Sequence, residues 1–159
     1  MKKIELTPTE FLQAALIGML RLLKNKLRGR FNSYGSENNP DRWGDHIEGA
    51  CGEMAVAKFF NVFWSGNMDD FLAVDVNIER FLIEVRTVDV EKKRLRLHPK
   101  DDDNRVCILV MGKAPKFKIK GWILAKDGKQ DKYWEDPGTG RPAFFVPQSE
   151  LKSIEELKR

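Results

Sequence analysis

"FLIEVRTV", residues Phe81–Val88, alternates with the period of a β-strand: Phe81, Ile83 and Val85 share one face, and Leu82, Glu84 and Arg86 share the other. A carboxylate and a guanidinium two residues apart on an otherwise apolar strand make either a solvated face or the floor of an active site. The two-residue period extends around it. "FLAVDV" (71–76) reads as a strand joined to it by a short turn at Asn77-Ile78-Glu79. "RLRLH" (94–98), "RVCILVMG" (105–112), "FKIKGWILA" (117–125) and a short "AFFVP" follow as further strands.

Upstream the period is helical. Thr7-Pro8-Thr9-Glu10 supplies a cap, a proline suited to the first helical position and a glutamate that closes a capping box. Leu12, Leu16, Leu20, Leu23 and Leu27 then recur at helical spacing, flanked by Phe11, Met19 and Leu22, with Gly29 as the stop. This predicts a helix over 7–29 packed on the core. Arg21, Lys24, Lys26, Arg28 and Arg30 crowd its end, where the helix dipole favours cations. A phosphate-contacting end is the sharper reading of Arg28 and Arg30. "FNSYGSENNP" (31–40) is a polar loop, and Asn39-Pro40 opens a second helix that runs to about Phe60. Gly44, Gly49 and Gly52 lie within it, each at about 1 kcal/mol against alanine; close approach of another backbone is the expected reason. His46, Gly49 and Glu53 share one face. At the far end, "EDPGTGRP" (135–142) is a loop and "PQSELKSIEEL" a closing helix, 148–158, capped by Ser149. The order predicts one α/β domain over 1–159, with a largely β middle in a core of roughly 40–147.

Composition agrees. The chain has 159 residues, 42% hydrophobic and 33% charged, which suits a folded domain rather than a disordered one. "MKKIELTPTE" turns polar before any apolar run develops, unlike a signal peptide. Phe11–Leu23 is too short for a membrane span and is broken by Gln13 and Arg21. No membrane partner and a cytoplasmic location are therefore expected. Cys51 and Cys107 fall inside a helix and a strand, as buried thiols do, and with His46 and His98 they have no regular zinc spacing. Neither "GSENNP" nor "DPGTGRP" is followed by Gly-Lys-Ser/Thr, which argues against a nucleotide cofactor. Trp43, Trp64, Trp122 and Trp134 read as core or interface residues rather than base-stacking platforms. The net charge of +4 and pI near 9.1 suit a polyanionic partner.

Three acidic residues stand out on this framework: Glu53 on the glycine-bearing helix, Asp75 on the first strand and Glu84 on the next. Should the two strands pair as a hairpin, Asp75 and Glu84 converge near its turn. An unpaired buried carboxylate at Glu53 would be costly, and carboxylates that approach each other are best tolerated around a cation. Hard oxygen ligands suit Mg²⁺ or Mn²⁺, which polarise a phosphodiester and lower the pKa of a bound water. Arg86 would stabilise charge developing on the phosphate. The plainer reading makes Asp75 a cross-strand partner of Arg86 on a wet face.

"GACGEMAVAKF", "AVDV" and "IEVRT" resemble the helix glutamate, the metal-binding aspartate and the (D/E)-x-K strand of the PD-(D/E)XK nuclease superfamily. The resemblance covers about half of the chain, roughly residues 45 to 125, and is greatest to small phage-type proteins of that group. The fold it implies is restriction-endonuclease-like, a mixed central sheet flanked by helices, with an added N-terminal helix. The activity it implies is metal-dependent endonuclease cleavage of DNA, as in a nuclease or a Holliday-junction resolvase. Carried over by position, Asp75 and Glu84 would ligate Mg²⁺ (or Mn²⁺) with the backbone carbonyl of Val85. Glu53 would orient a water or a second metal, and His46 would lie within reach of the same site. Arg86 replaces the superfamily's lysine. Arginine cannot act as a general base but clamps phosphate bidentately. Val74 stands where the superfamily's proline would be. The alternative is a catalytically inactive member that binds DNA or a protein through its basic surface; a host-interacting accessory protein with a structural acidic cluster is a third reading. Arg94, Arg96 and Lys100 in "EKKRLRLHPK" either track a DNA backbone or protect a strand edge by charge. A homodimer is compatible with all of these.

Overall fold

The structure, a computed structural model, describes residues 1–28, 43–68, 74–78, 80–138 and 140–158. The expected Gly29 stop, the loop at 31–40, the Asn39-Pro40 helix start, Arg30 and the first half of the "FLAVDV" strand (71–73) lie outside the described residues.

Helix α1 spans Pro8–Leu27 and starts as its sequence predicts. Thr7 Oγ1 accepts from the Glu10 amide at 3.3 Å and Glu10 Oε2 accepts from the Thr7 amide at 2.7 Å, which satisfies two of the donors a helix start leaves open. Helix α2 spans Trp43–Phe60 and is buried nearly all round, at Ala50, Cys51, Gly52, Glu53, Ala55, Val56, Ala57 and Phe59. A helix with no wet face belongs between two layers. Here α1 packs on one side of α2 and the sheet on the other.

Five strands form the main sheet in the order β1-β6-β5-β3-β2: β1 Lys2–Glu5, β2 Val76–Ile78, β3 Phe81–Val88, β5 Val106–Lys113 and β6 Lys116–Leu124. β3 runs parallel to β5, and the other pairs are antiparallel. β4 (Leu95–Leu97), β7 (Trp134–Glu135) and β8 (Ala143–Val146) form a separate sheet in the order β4-β8-β7. β5 lies at the centre and is buried from Val106 to Met111, as a strand covered on both faces must be. Val106, Ile108 and Val110 join the larger core with α2, while Cys107 and Leu109 join Leu95, Leu97 and Val146 in a smaller core under the second sheet. The molecule is therefore mixed α/β, with the main sheet between a helical layer and a small sheet.

Several expectations need correction. β2 includes Asn77 and Ile78, which the sequence reading gave to a turn. β1 is an unexpected edge strand; with only one apolar side chain among four it carries little period-two signal, and its charge suits an edge. The closing helix at 148–158 is two 3₁₀ turns, Gln148–Glu150 and Ile154–Lys158, and Ser149 caps neither. Between them Lys152 pairs in both directions with Trp122, at 2.8 and 3.0 Å, which holds the chain extended there. Among the described residues, backbone crowding explains none of the α2 glycines. A Cβ at Gly44 or Gly49 would meet nothing within 4 Å among the described residues, and at Gly52 it would meet the Thr87 side chain on β3. The helical glycine that does lie against another helix's backbone is Gly18 of α1, whose added Cβ would lie 2.5 Å from the His46 carbonyl oxygen of α2.

Candidate functional site

The β2–β3 hairpin forms as expected, with Val76 opposite Ile83 and Ile78 opposite Phe81. β2 begins at Val76, so from Val85 onward the edge of β3 has no neighbouring strand among the described residues. Asp75 fills the first vacant place. Its backbone amide donates to the Ile83 carbonyl at 3.0 Å, and its Oδ2 accepts from the Val85 amide at 2.7 Å. A side chain here takes the hydrogen bond a ladder partner would have taken.

Glu53 and Glu84 approach this carboxyl from opposite sides of the sheet. Ile83, Val85 and Thr87 face α2, where Gly52 rests on Thr87, so Glu53 arrives from the helical side. Glu84 and Arg86 face the small sheet. Burial first, then the charges of Glu53 and Glu84, hold the Asp75 carboxyl well above the usual carboxylate range, against the Val85 hydrogen bond and the charge of Arg86.

Each flanking glutamate has its own cations. Glu53 is 6% exposed and takes a two-pronged bond from Arg21 of α1, at 2.5 and 2.9 Å, and a third from Trp64 Nε1 at 3.1 Å. Arg21 Nε donates to the Asn67 carbonyl at 2.9 Å, which ties the segment after α2 to the same point. Burial opposes the charge on Arg21, but Glu53 outweighs it and raises its pKa. Glu84 accepts from Arg86 through Oε1 and from Arg105 through Oε2, both at 2.5 Å. Arg86 reaches on to Asp101 Oδ2 at 3.3 Å, and Asp101 accepts from the His98 amide at 2.7 Å. Burial again works against Arg86, and Glu84, Asp101 and Asp75 together raise its pKa. Four carboxylates thus face three guanidinium groups, and Asp75 is the one with no ion-pair partner among the described residues.

The set read from the sequence is therefore brought into one electrostatic neighbourhood: Glu53, Asp75, Glu84 and Arg86. Arg21, Arg105, Asp101 and Trp64 are additional members. Arg21 carried a signal, since it shares the α1 face of Ala14, Gly18 and Leu22, where a cation needs a buried partner. Arg105 is one residue before β5 and on the Glu84 side by strand parity. At His46 it is the backbone carbonyl oxygen that lies over Gly18 of α1, a contact with that helix and not with the carboxylates. The basic candidates lie elsewhere. Arg28 is the C-cap of α1. Arg94 pairs with Glu135 at 2.7 Å and, like Arg96, lies over the Phe145 ring. Lys100 is exposed and its amide donates to His98 Nδ1 at 3.1 Å. Trp64 is buried, whereas Trp134 is exposed and packs on Phe144.

The donor chemistry at Asp75 suits a hard divalent cation: carboxylate oxygens, one of them, Oδ1, accepting no hydrogen bond from the described residues. As placed, no group of three or more His, Cys, Asp or Glu among the described residues is arranged to hold a metal ion. Both Glu84 oxygens and both Glu53 oxygens are bonded to arginines. No helix among the described residues is long and apolar enough to cross a membrane. In comparison with known proteins, no family model, no curated protein and no solved structure matches the chain.

Proposed function

We propose that this protein is a metal-dependent endonuclease of the PD-(D/E)XK, restriction-endonuclease-like kind, hydrolysing phosphodiester bonds in DNA with Mg²⁺ or Mn²⁺. The observation that carries the reading is Asp75: a carboxyl with no ion-pair partner among the described residues, pressed by two further carboxylates from a helix and a neighbouring strand. That arrangement costs stability unless a cation relieves it. Asp75 would be the main metal ligand, with Glu84 and Glu53 beside it. The ion, when bound, would polarise the phosphodiester and acidify a water. Arg86 stays charged, so its part is to grip a phosphate oxygen and offset charge there, not to take a proton. The net charge of +4 favours a polyanion as substrate.

A second reading rests on Glu84. Both of its oxygens are bonded to guanidinium groups, as in an inactive member of the fold that binds DNA or a protein. One experiment separates the two. Linear, supercoiled, single-stranded and branched DNA are incubated with the protein and Mg²⁺ or Mn²⁺, beside the isosteric variants Asp75→Asn and Glu84→Gln. The nuclease reading expects metal-dependent cleavage that falls by at least about 100-fold in both variants. DNA binding without cleavage, unchanged in the variants, would replace it with the second reading.

A further inference from the structure

The leucines that recur along α1 do not face the core. The inward face is Ala14, Gly18 and Leu22, narrow enough for α1 to lie close on α2. The opposite face presents Leu12 (69% exposed), Leu16 (54%), Met19 (43%), Leu23 (45%) and Leu27 (80%). Leu12 to Leu23 and Leu16 to Leu27 are each three full turns apart, so the stripe runs straight along the helix instead of winding round it. No charged side chain interrupts it: Lys24 and Lys26 flank it at the C-terminal end only. A single exposed leucine needs no explanation, but a continuous row of five on one helix is the kind of patch that marks an interface.

We infer that this stripe is the contact surface for a second copy of the chain, packed antiparallel on α1 about a two-fold axis near Met19. Area selects this occupant. At the size of leucine and methionine side chains, these exposures leave on the order of 600 Å² of apolar surface per copy. Two copies then bury about 1,200 Å², the lower edge of stable specific interfaces. The row is self-complementary, because the same knobs and gaps recur on both sides of its midpoint. Charge selects the direction. A parallel pair sets Lys24, Lys26 and Arg28 of both copies side by side, whereas an antiparallel pair holds them at opposite ends, about 15–27 Å apart along the axis.

The test is sedimentation equilibrium of the full chain, beside Leu16→Glu, Leu23→Glu and three single-cysteine probes, Leu12→Cys, Met19→Cys and Leu27→Cys. The native Cys51 and Cys107 are buried and do not compete. The expected result is a dimer at micromolar concentration that becomes monomeric in both glutamate variants. Their unfolding midpoints, measured on the monomer, match the wild-type monomer because neither residue is in the core. On oxidation Met19→Cys links to itself, while Leu12→Cys links to Leu27→Cys and not to itself. A wild-type monomer up to about 100 μM overturns the inference, as does a dimer that both glutamate variants leave intact. Self-linking of Leu12→Cys overturns the antiparallel arrangement. A monomer that instead cosediments with anionic phospholipid vesicles, and loses this in the same variants, gives the stripe to a membrane surface and overturns it too.

Discussion

Asp75 is a residue at which charge is poorly tolerated. Its Oδ2 is fixed by the Val85 amide, and Glu53 and Glu84 oppose its ionisation. The sign of the consequence follows by linkage. A folded-state pKa raised above the ordinary 3.8 means that the folded protein binds this proton more tightly than the unfolded chain does. The favourable contribution is full below 3.8 and is lost as pH rises through the folded-state value. At pH values above 3.8 the tendency of this group to ionise is therefore a net cost to the folded state. Asp75→Asn keeps an oxygen for the Val85 amide and removes the charge. Urea unfolding at pH 7 should show the variant more stable than wild type, with the gap closing as pH falls toward 3.8. An equal or lower stability at pH 7 would mean the charge is not opposed in the way the geometry implies. Paired with loss of cleavage, a gain in stability is the mark of a residue kept for function. At this scale the sequence was readable where chemistry is local. Glu84 and Arg86 share a strand face by parity alone, and Glu53 is conspicuous among small residues. Arg105 was not readable, because its place beside Glu84 depends on β3 pairing with β5 across an intervening strand. Arg21 was seen only as one of several cations near a helix end.

Elements show the same division between local and distant causes. The capping box of α1 is written in four consecutive residues and forms as written. The inward face of α1 is not. Its row of leucines suggests burial by hydropathy, yet Ala14, Gly18 and Leu22 are the residues turned inward, because close packing on α2 selects for small size ahead of greasiness. Gly18→Ala tests this directly. Alanine gains about 1 kcal/mol in helix propensity over glycine, so a permissive site would be stabilised. Here the added methyl falls 2.5 Å from the His46 carbonyl oxygen and 2.7 Å from the Ile47 Cα, both backbone atoms. Overpacking of that kind costs about 1–3 kcal/mol, and the two-pronged Arg21–Glu53 pair ties the two helices together close by. The expected net outcome is destabilisation by up to about 2 kcal/mol in chemical denaturation, with Gly44→Ala neutral or stabilising as the control. β1 and the 3₁₀ turns at the C-terminus escaped the sequence reading for a related reason. Each is held by pairing with β6, a partner far away in the chain, and not by its own pattern.

At the scale of the molecule, the described residues form two apolar cores, one between α2 and the main sheet and one between that sheet and β4-β8-β7. They are joined through β5, whose alternate residues belong to different cores. A strand cannot leave one while remaining ordered in the other, so the two should unfold as a single unit despite lying on opposite sides of the sheet. The native thiols are placed to test this. Cys51 belongs to the larger core and Cys107 to the smaller. Burial pushes both thiols up to about 12, with Glu48 and Glu53 adding to the effect at Cys51, and with Asp101 and Glu84 opposed by Arg86 and Arg105 at Cys107. In the folded state at pH 8 neither offers a useful thiolate, and alkylation must proceed through opening. Labelling with iodoacetamide across a urea series should therefore give the same opening free energy at both cysteines, equal to the global value. If Cys107 reacts at markedly lower urea than Cys51, the small sheet opens by itself and β5 does not couple the cores. Coincident labelling instead makes the site edge part of that cooperative unit. Glu84 lies on the strand paired with β5 and Arg105 immediately precedes it, so the charge network would be lost only when the molecule as a whole unfolds.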